Sequence, residues 1–104
     1  ASISYLYNHF NPSVLRLIKR TIESAHQGDK CKWAGMCGEM ASDPYAAVLL
    51  MAMGIHELSM SAPSIPRVKE MLRKTSSVKA KEILADVMKL EDGDEIREYL
   101  HKVL

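Results

Sequence analysis

The chain has 104 residues, of which 47% are hydrophobic and 26% charged, a composition that fits one ordinary globular domain and leaves no low-complexity stretch. Fourteen Lys and Arg against thirteen Asp and Glu give a formal net charge of +1, and the basic residues are interspersed with acidic ones instead of forming a stripe with aromatics, which argues against a nucleic-acid partner. The longest uncharged run, Pro44 to Ile55, falls short of the roughly 20 residues that a membrane helix needs, and the opening "ASISYLYNHF" lacks the basic-then-apolar order of a leader, so the expectation is a cytoplasmic chain with no membrane partner.

Asn11 before Pro12 has the form of an N-cap with proline in the first helical turn, and Val14, Leu15, Leu17, Ile18, Ile22 and Ala25 then recur at helical spacing until Gly28. Arg16, Lys19, Arg20 and Glu23 are expected on the solvated face. The next segment, Lys32 to Cys37, is short and bounded by a charged turn and Gly38, as a buried strand would be. Asp43 and Pro44 repeat the cap-plus-proline signal and open the helix "YAAVLLMAM", closed by Gly54. Being apolar all round, that helix must be covered on all sides, with Met51 and Met53 as gap-filling core.

In "IHELSMS" the alternation places Leu58 and Met60 on one face and Ser59 and Ser61 on the other, as in a strand whose polar side looks into a site or a barrel interior. A helix restarts in "APSIPRVKEML" with Ser64 as its expected cap. Another runs from Ser76 or Ser77 to Leu90 with Ile83, Leu84, Val87 and Met88 inward. A last one begins at Asp92, which forms a capping-box-like pair with Glu95. The predicted class is α/β, in the order helix, strand, helix, strand, helix, helix, helix.

A strand-helix-strand unit of this length implies two parallel strands joined by a crossover, with polar residues at their C-terminal ends, where doubly wound sheets and (β/α) barrels gather their sites. "GMCGE" lies at such an end. The two cysteines, Cys31 and Cys37, are six apart with no CxxC and no paired histidines, so free thiols are expected and structural zinc is not. Cys31, between two lysines, reads as a small buried hydrophobe. Cys37 is different, because Gly35 and Gly38 free the backbone around it for close approach of a ligand, and a core thiol would not need them.

The run "WAGMCGEMASDPYAAVLLMAMGIHELSMSAPSIPRVKEMLR", with "NPSVLRLIKRTIESAH" before it, resembles the C-terminal end of Enzyme I of the bacterial sugar phosphotransferase system, the phosphoenolpyruvate-protein phosphotransferase family. "GMCGEM" and "ELSMS" followed by "SIP" carry the resemblance, which covers nearly the whole chain. The sister enzymes pyruvate phosphate dikinase and phosphoenolpyruvate synthase have a similar Cys-Gly element but differ after it, so a fragment of one of them is the alternative reading. Ser42 stands where the family commonly has glycine, His56 where it commonly has aspartate, and "GDKC" makes a longer turn; none of these touches the Cys37 element.

The resemblance implies a (β/α)8 TIM barrel that binds phosphoenolpyruvate with magnesium at its top, residues 1–104 supplying the seventh and eighth strands, with Cys37 ending the seventh. A full barrel takes roughly 250 residues, so the chain is expected to be a C-terminal fragment of that domain. The family's phosphate-gripping arginines, its magnesium ligands and its Asn-Asp pair would then lie before Ala1, leaving no metal ligand here. The phosphoryl-accepting histidine belongs to a separate N-terminal domain, through which the phosphocarrier protein HPr would be met. His9, His26, His56 and His101 do not fall on that motif and are expected to be surface or packing residues.

In that setting Cys37 acquires a role. Loss of the phosphoryl group from phosphoenolpyruvate leaves the enolate of pyruvate, and a neutral thiol above its methylene carbon can act as general acid, the thiolate taking the proton back in reverse. A free thiol pKa of roughly 8.5 suits both directions. Gly35 and Gly38 would admit the substrate, and Glu39 would orient the loop or a water, although an acid here is also a common approach to a helix. Two other classes stay open: a non-catalytic dimerisation module, with a homo-oligomer expected in either case, and a redox-sensing thiol protein. The fragment alone is expected to be inactive.

Overall fold

The computed structural model describes residues 10–27, 35–37 and 39–104, with Cys37 described through its backbone. His9, Cys31, Gly38 and the start of the predicted strand at Lys32 therefore lie outside the described residues. The elements are α1 (Pro12–His26), β1 (Gly35–Cys37), α2 (Glu39–Ser42), α3 (Pro44–Met53), β2 (Glu57–Ser59), a 3-10 turn at Ala62–Ser64, α4 (Ile65–Lys74), α5 (Ser77–Val87) and α6 (Gly93–Val103).

α3 is the centre of the molecule. Asp43 Oδ1 accepts hydrogen bonds from the backbone N–H groups of Tyr45 at 2.9 Å and Ala46 at 3.4 Å, and Pro44 takes the first turn, where a missing N–H costs nothing. At the other end Gly54 adopts the left-handed region at φ 94°, and its N–H closes onto the carbonyls of Leu50 and Met51. Between these caps Ala46, Ala47, Val48, Leu49 and Leu50 are all fully buried. The helix is covered by α1 and α2 and, more extensively, by α4 and α5, which is how an all-apolar surface helix avoids water.

The surrounding helices each offer one stripe. α1 starts at an Asn11 cap, whose Oδ1 accepts from the Ser13 N–H at 2.9 Å, and buries Leu15 and Ile22. Its apolar stripe is narrower than the spacing predicts: Val14 and Leu17 are 40% and 66% exposed, because α3 meets only the line through Leu15, Ile18 and Ile22. α5 begins at the Ser76 cap, whose Oγ accepts from the Lys79 N–H, and ends at Val87, short of the expected Leu90, with Ile83, Leu84 and Val87 inward. α6 is capped by Asp92 through the Asp94 N–H at 2.8 Å and buries Ile96 and Leu100 against the same core.

β1 and β2 pair in parallel in the register Gly35 with Glu57, Met36 with Leu58 and Cys37 with Ser59. Met36 and Leu58 pack against the helical core, whereas Glu57 and Ser59 are exposed. The fold is thus α/β and mostly helical, with two parallel strands.

Two further local features differ from the sequence-based expectation. The four residues Glu39–Ser42 form a helical turn of their own between β1 and α3, burying Met40 and Ala41. Ser64 holds the expected N-cap position of α4 but makes no side-chain cap bond there: it also closes the 3-10 turn, and its Oγ lies 3.2 Å from that of Ser61. Pro63 in that turn and Pro66 inside α4 favour the tighter entry.

Candidate functional site

Because β1 and β2 run parallel, both end on the same side of the molecule, and Cys37 and Ser59 occupy one register position there. The chain then diverges on two routes. From β1 it enters α2 through Glu39, which is exposed at the first helical position, and from β2 it passes Met60 and Ser61 into the 3-10 turn and α4. Between the two routes lies an open groove of about 780 Å³. One wall is made by Glu39, Ser42 and Asp43, and the other by Ser59, Met60, Ser61, Ser64 and Arg67.

The groove is rich in hydroxyls, with carboxylates on one wall and a guanidinium on the other. Ser61, Ser64 and Arg67 follow one another at intervals of three residues into the first turn of α4, so they line one side. Asp43 spends one oxygen on the α3 cap. Ser59 Oγ donates a long hydrogen bond, 3.4 Å, to Glu57 Oε1 two residues below it on the same strand. A further depression of about 660 Å³ runs along α4 beside Ile65, Lys69 and Arg73, but it is the flank of a single helix with no strand end in it.

Of the residues that the sequence singles out, Cys37 is at the strand end and Glu39 is in the groove wall. Gly35 lies two residues below Cys37, opposite Glu57. A Cβ built on Gly35 would stand 3.6 Å from Glu57 Cβ and 3.9 Å from its Oε2, which is ordinary contact, so space around the strand does not by itself demand a glycine. Arg67 was not among the residues singled out; its only sequence signal is its spacing from Ser61 and Ser64.

The three described histidines, His26, His56 and His101, have structural surroundings. His26 Nε2 is 3.0 Å from the Gly54 carbonyl, and its ring stacks on His56 with centroids 4.7 Å apart, tying the end of α1 to the end of α3. His101 stacks on Tyr45 at 4.4 Å. Among the described residues no three His, Cys, Asp or Glu side chains gather to hold a metal ion, and no helix is long and apolar enough to cross a membrane.

Comparison with known proteins locates this arrangement. Residues 1–77 match the family described as "PEP-utilising enzyme, PEP-binding domain". The chain is also similar to phosphoenolpyruvate-protein phosphotransferases of several bacteria. That of Buchnera aphidicola is 46% identical over 102 residues, covering 98% of this chain and 18% of the relative. That of Haemophilus influenzae is 51% identical over 84 residues, covering 81% and 14%. That of Enterococcus faecalis is 47% identical over 87 residues, covering 84% and 15%. The chain spans less than a fifth of the length of these relatives. With its parallel strand pair and three quarters of its residues inside the match, the chain belongs to the family of PEP-binding domains of PEP-utilising enzymes.

Proposed function

We propose that this chain supplies the thiol-bearing part of the phosphoenolpyruvate site of a phosphoenolpyruvate-protein phosphotransferase, the enzyme that starts phosphoryl relay for sugar uptake. The observation that supports the reading most is the placing of Cys37 at the C-terminal end of a parallel strand beside an open polar groove, in a chain whose relatives carry that enzyme's name. In this account β1 and β2 are the seventh and eighth strands of a (β/α)8 barrel.

Cys37 acts on carbon. When the phosphoryl group leaves phosphoenolpyruvate, the enolate's electron pair forms a C–H bond at the methylene carbon with the thiol proton, the S–H bond breaks, and a thiolate remains. In the reverse direction the thiolate removes a methyl proton from pyruvate. Gly35 and Gly38 let the substrate approach the backbone, and Glu39 at the groove wall orients the loop or a water.

The rest of the chemistry is assigned elsewhere. The described residues offer no magnesium site, so they do not fit that ion and no step here passes through it. The phosphoryl-accepting histidine and the surface met by HPr belong to other parts of the intact enzyme. Each of the two strands has one edge with no partner among the described residues, which supports either a barrel completed by further strands or association with a second copy.

Replacing Cys37 in the intact enzyme tests the assignment. Cys37→Ala should leave phosphoenolpyruvate affinity nearly unchanged while slowing phosphoryl transfer by about 100 to 10,000-fold, the usual range for losing a general acid. The 104-residue chain alone should show no turnover. Undiminished transfer by the variant would remove Cys37 from the mechanism.

A further inference from the structure

We propose that Met60 is an oxidative modification site on the groove wall, taking one oxygen atom from a small peroxide such as hydrogen peroxide to become methionine sulfoxide. The chain has seven methionines, and their surroundings set one apart. Met40, Met53 and Met71 are buried, and Met36, Met51 and Met88, although only half-buried, pack against one of the two hydrophobic clusters. Met60 is also half-buried but belongs to neither cluster, and among the described residues lining the groove it is the one apolar side chain. No core cluster packs over its thioether.

The step is a two-electron oxygen transfer. A sulfur lone pair attacks one peroxide oxygen, the S–O bond forms as the O–O bond breaks, and the departing hydroxide takes the proton from the new S–OH group and leaves as water. Sulfur is oxidised and the peroxide reduced. The product carries an added acceptor oxygen, which an apolar core would bury at a cost and which this groove can satisfy. Ser61 and Ser64 line the same groove with hydroxyls that can donate to it. Arg67, exposed there and without a hydrogen bond or ion pair among the described residues, adds guanidinium N–H donors. Access to peroxide and tolerance of the product therefore select the same methionine. The modification is separate from the acid role of Cys37, since peroxide meets Met60 with no substrate bound.

The test is oxidation of the 104-residue chain by hydrogen peroxide, followed by peptide mapping with mass spectrometry, which reads each methionine separately. Peroxide in large excess keeps its concentration constant although Cys31 and Cys37 also react. Met60 should gain its oxygen at least roughly fivefold faster than any other methionine, and the chain carrying that single sulfoxide should keep its helical circular dichroism signal. In concentrated urea, where the groove is gone, the rates should converge. Met60→Leu should remove the fast phase. Another methionine oxidised first, equal rates at all of them in the folded chain, a fast phase that survives Met60→Leu, or a lead for Met60 that persists in urea would each overturn the proposal. None of these outcomes bears on the acid assignment, which is decided by turnover of Cys37→Ala in the intact enzyme.

Discussion

Cys37 and Ser59 share one register position at the C-terminal ends of two parallel strands, and the register is held by the pair just before them, Met36 and Leu58, which packs into the helical core. A one-residue slip would carry Cys37 to the opposite face of the sheet. The packing of Leu58 is therefore what keeps Ser59 at the groove and Cys37 at the register position across from it. Leu58→Ala should destabilise the chain by about 2 kcal/mol, toward the lower end of leucine truncations because the side chain is only half-buried. Urea unfolding checks this, and an unchanged midpoint would show that the strand register is held by something else.

The ends of α3 give two independent expectations. Asp43→Ala removes the acceptor for two amides and should cost about 1 kcal/mol. Gly54→Ala places a Cβ 3.5 Å from His26 Nε2, an ordinary contact, so its cost comes from the left-handed backbone alone and should be about 1 to 2 kcal/mol, with Gly54→Asn milder. Chemical denaturation of the three variants separates these effects. A cost in Gly54→Asn as large as in Gly54→Ala would point to the His26 contact instead.

Tyr99 ties α6 to α5 by donating a 2.6 Å hydrogen bond to Asp86 Oδ2. That bond, followed by burial and the negative charges of Asp86 and Glu82, pushes the phenol up from 10.0 to about 12. The folded state thus favours the neutral phenol. This contribution to stability is fully present below pH 10 and is lost as pH rises through about 12. Tyr99→Phe should remove that alkaline limb from the stability profile, and the tyrosinate absorbance missing from the variant should be centred near pH 12. A missing signal centred near 10 would contradict the bond.

What the sequence made legible was mostly local. The caps at Asn11, Asp43, Ser76 and Asp92 and the left-handed Gly54 need only their own few neighbours, and all five hold in the structure. The alternation in "IHELSMS" likewise sorted Leu58 from Ser59, but the strand ends at Ser59, and Met60, expected on the Leu58 face, lines the groove with Ser59 and Ser61. The turn Glu39–Ser42 was not legible, because four residues carry no helical period. Val14 and Leu17 looked inward because periodicity defines an apolar stripe without saying how much of it a neighbour covers. Ser64 had the chemistry of a cap, but the proline before it in the 3-10 turn sets the entry to α4. At the site, the glycines drew attention to Cys37 from the sequence alone. Arg67 enters the groove wall only through the placing of α4 beside the strand ends, which is a tertiary fact.

The central claim is that Cys37 moves a proton at the substrate's methylene carbon, and isotope exchange reads that step directly. Pyruvate incubated in deuterium oxide with the intact phosphotransferase should lose its methyl proton signal by enzyme-catalysed exchange, and Cys37→Ala should slow that exchange by about 100-fold or more while the enzyme still binds phosphoenolpyruvate. Exchange in the Cys37→Ala enzyme at the parent's rate would contradict the account.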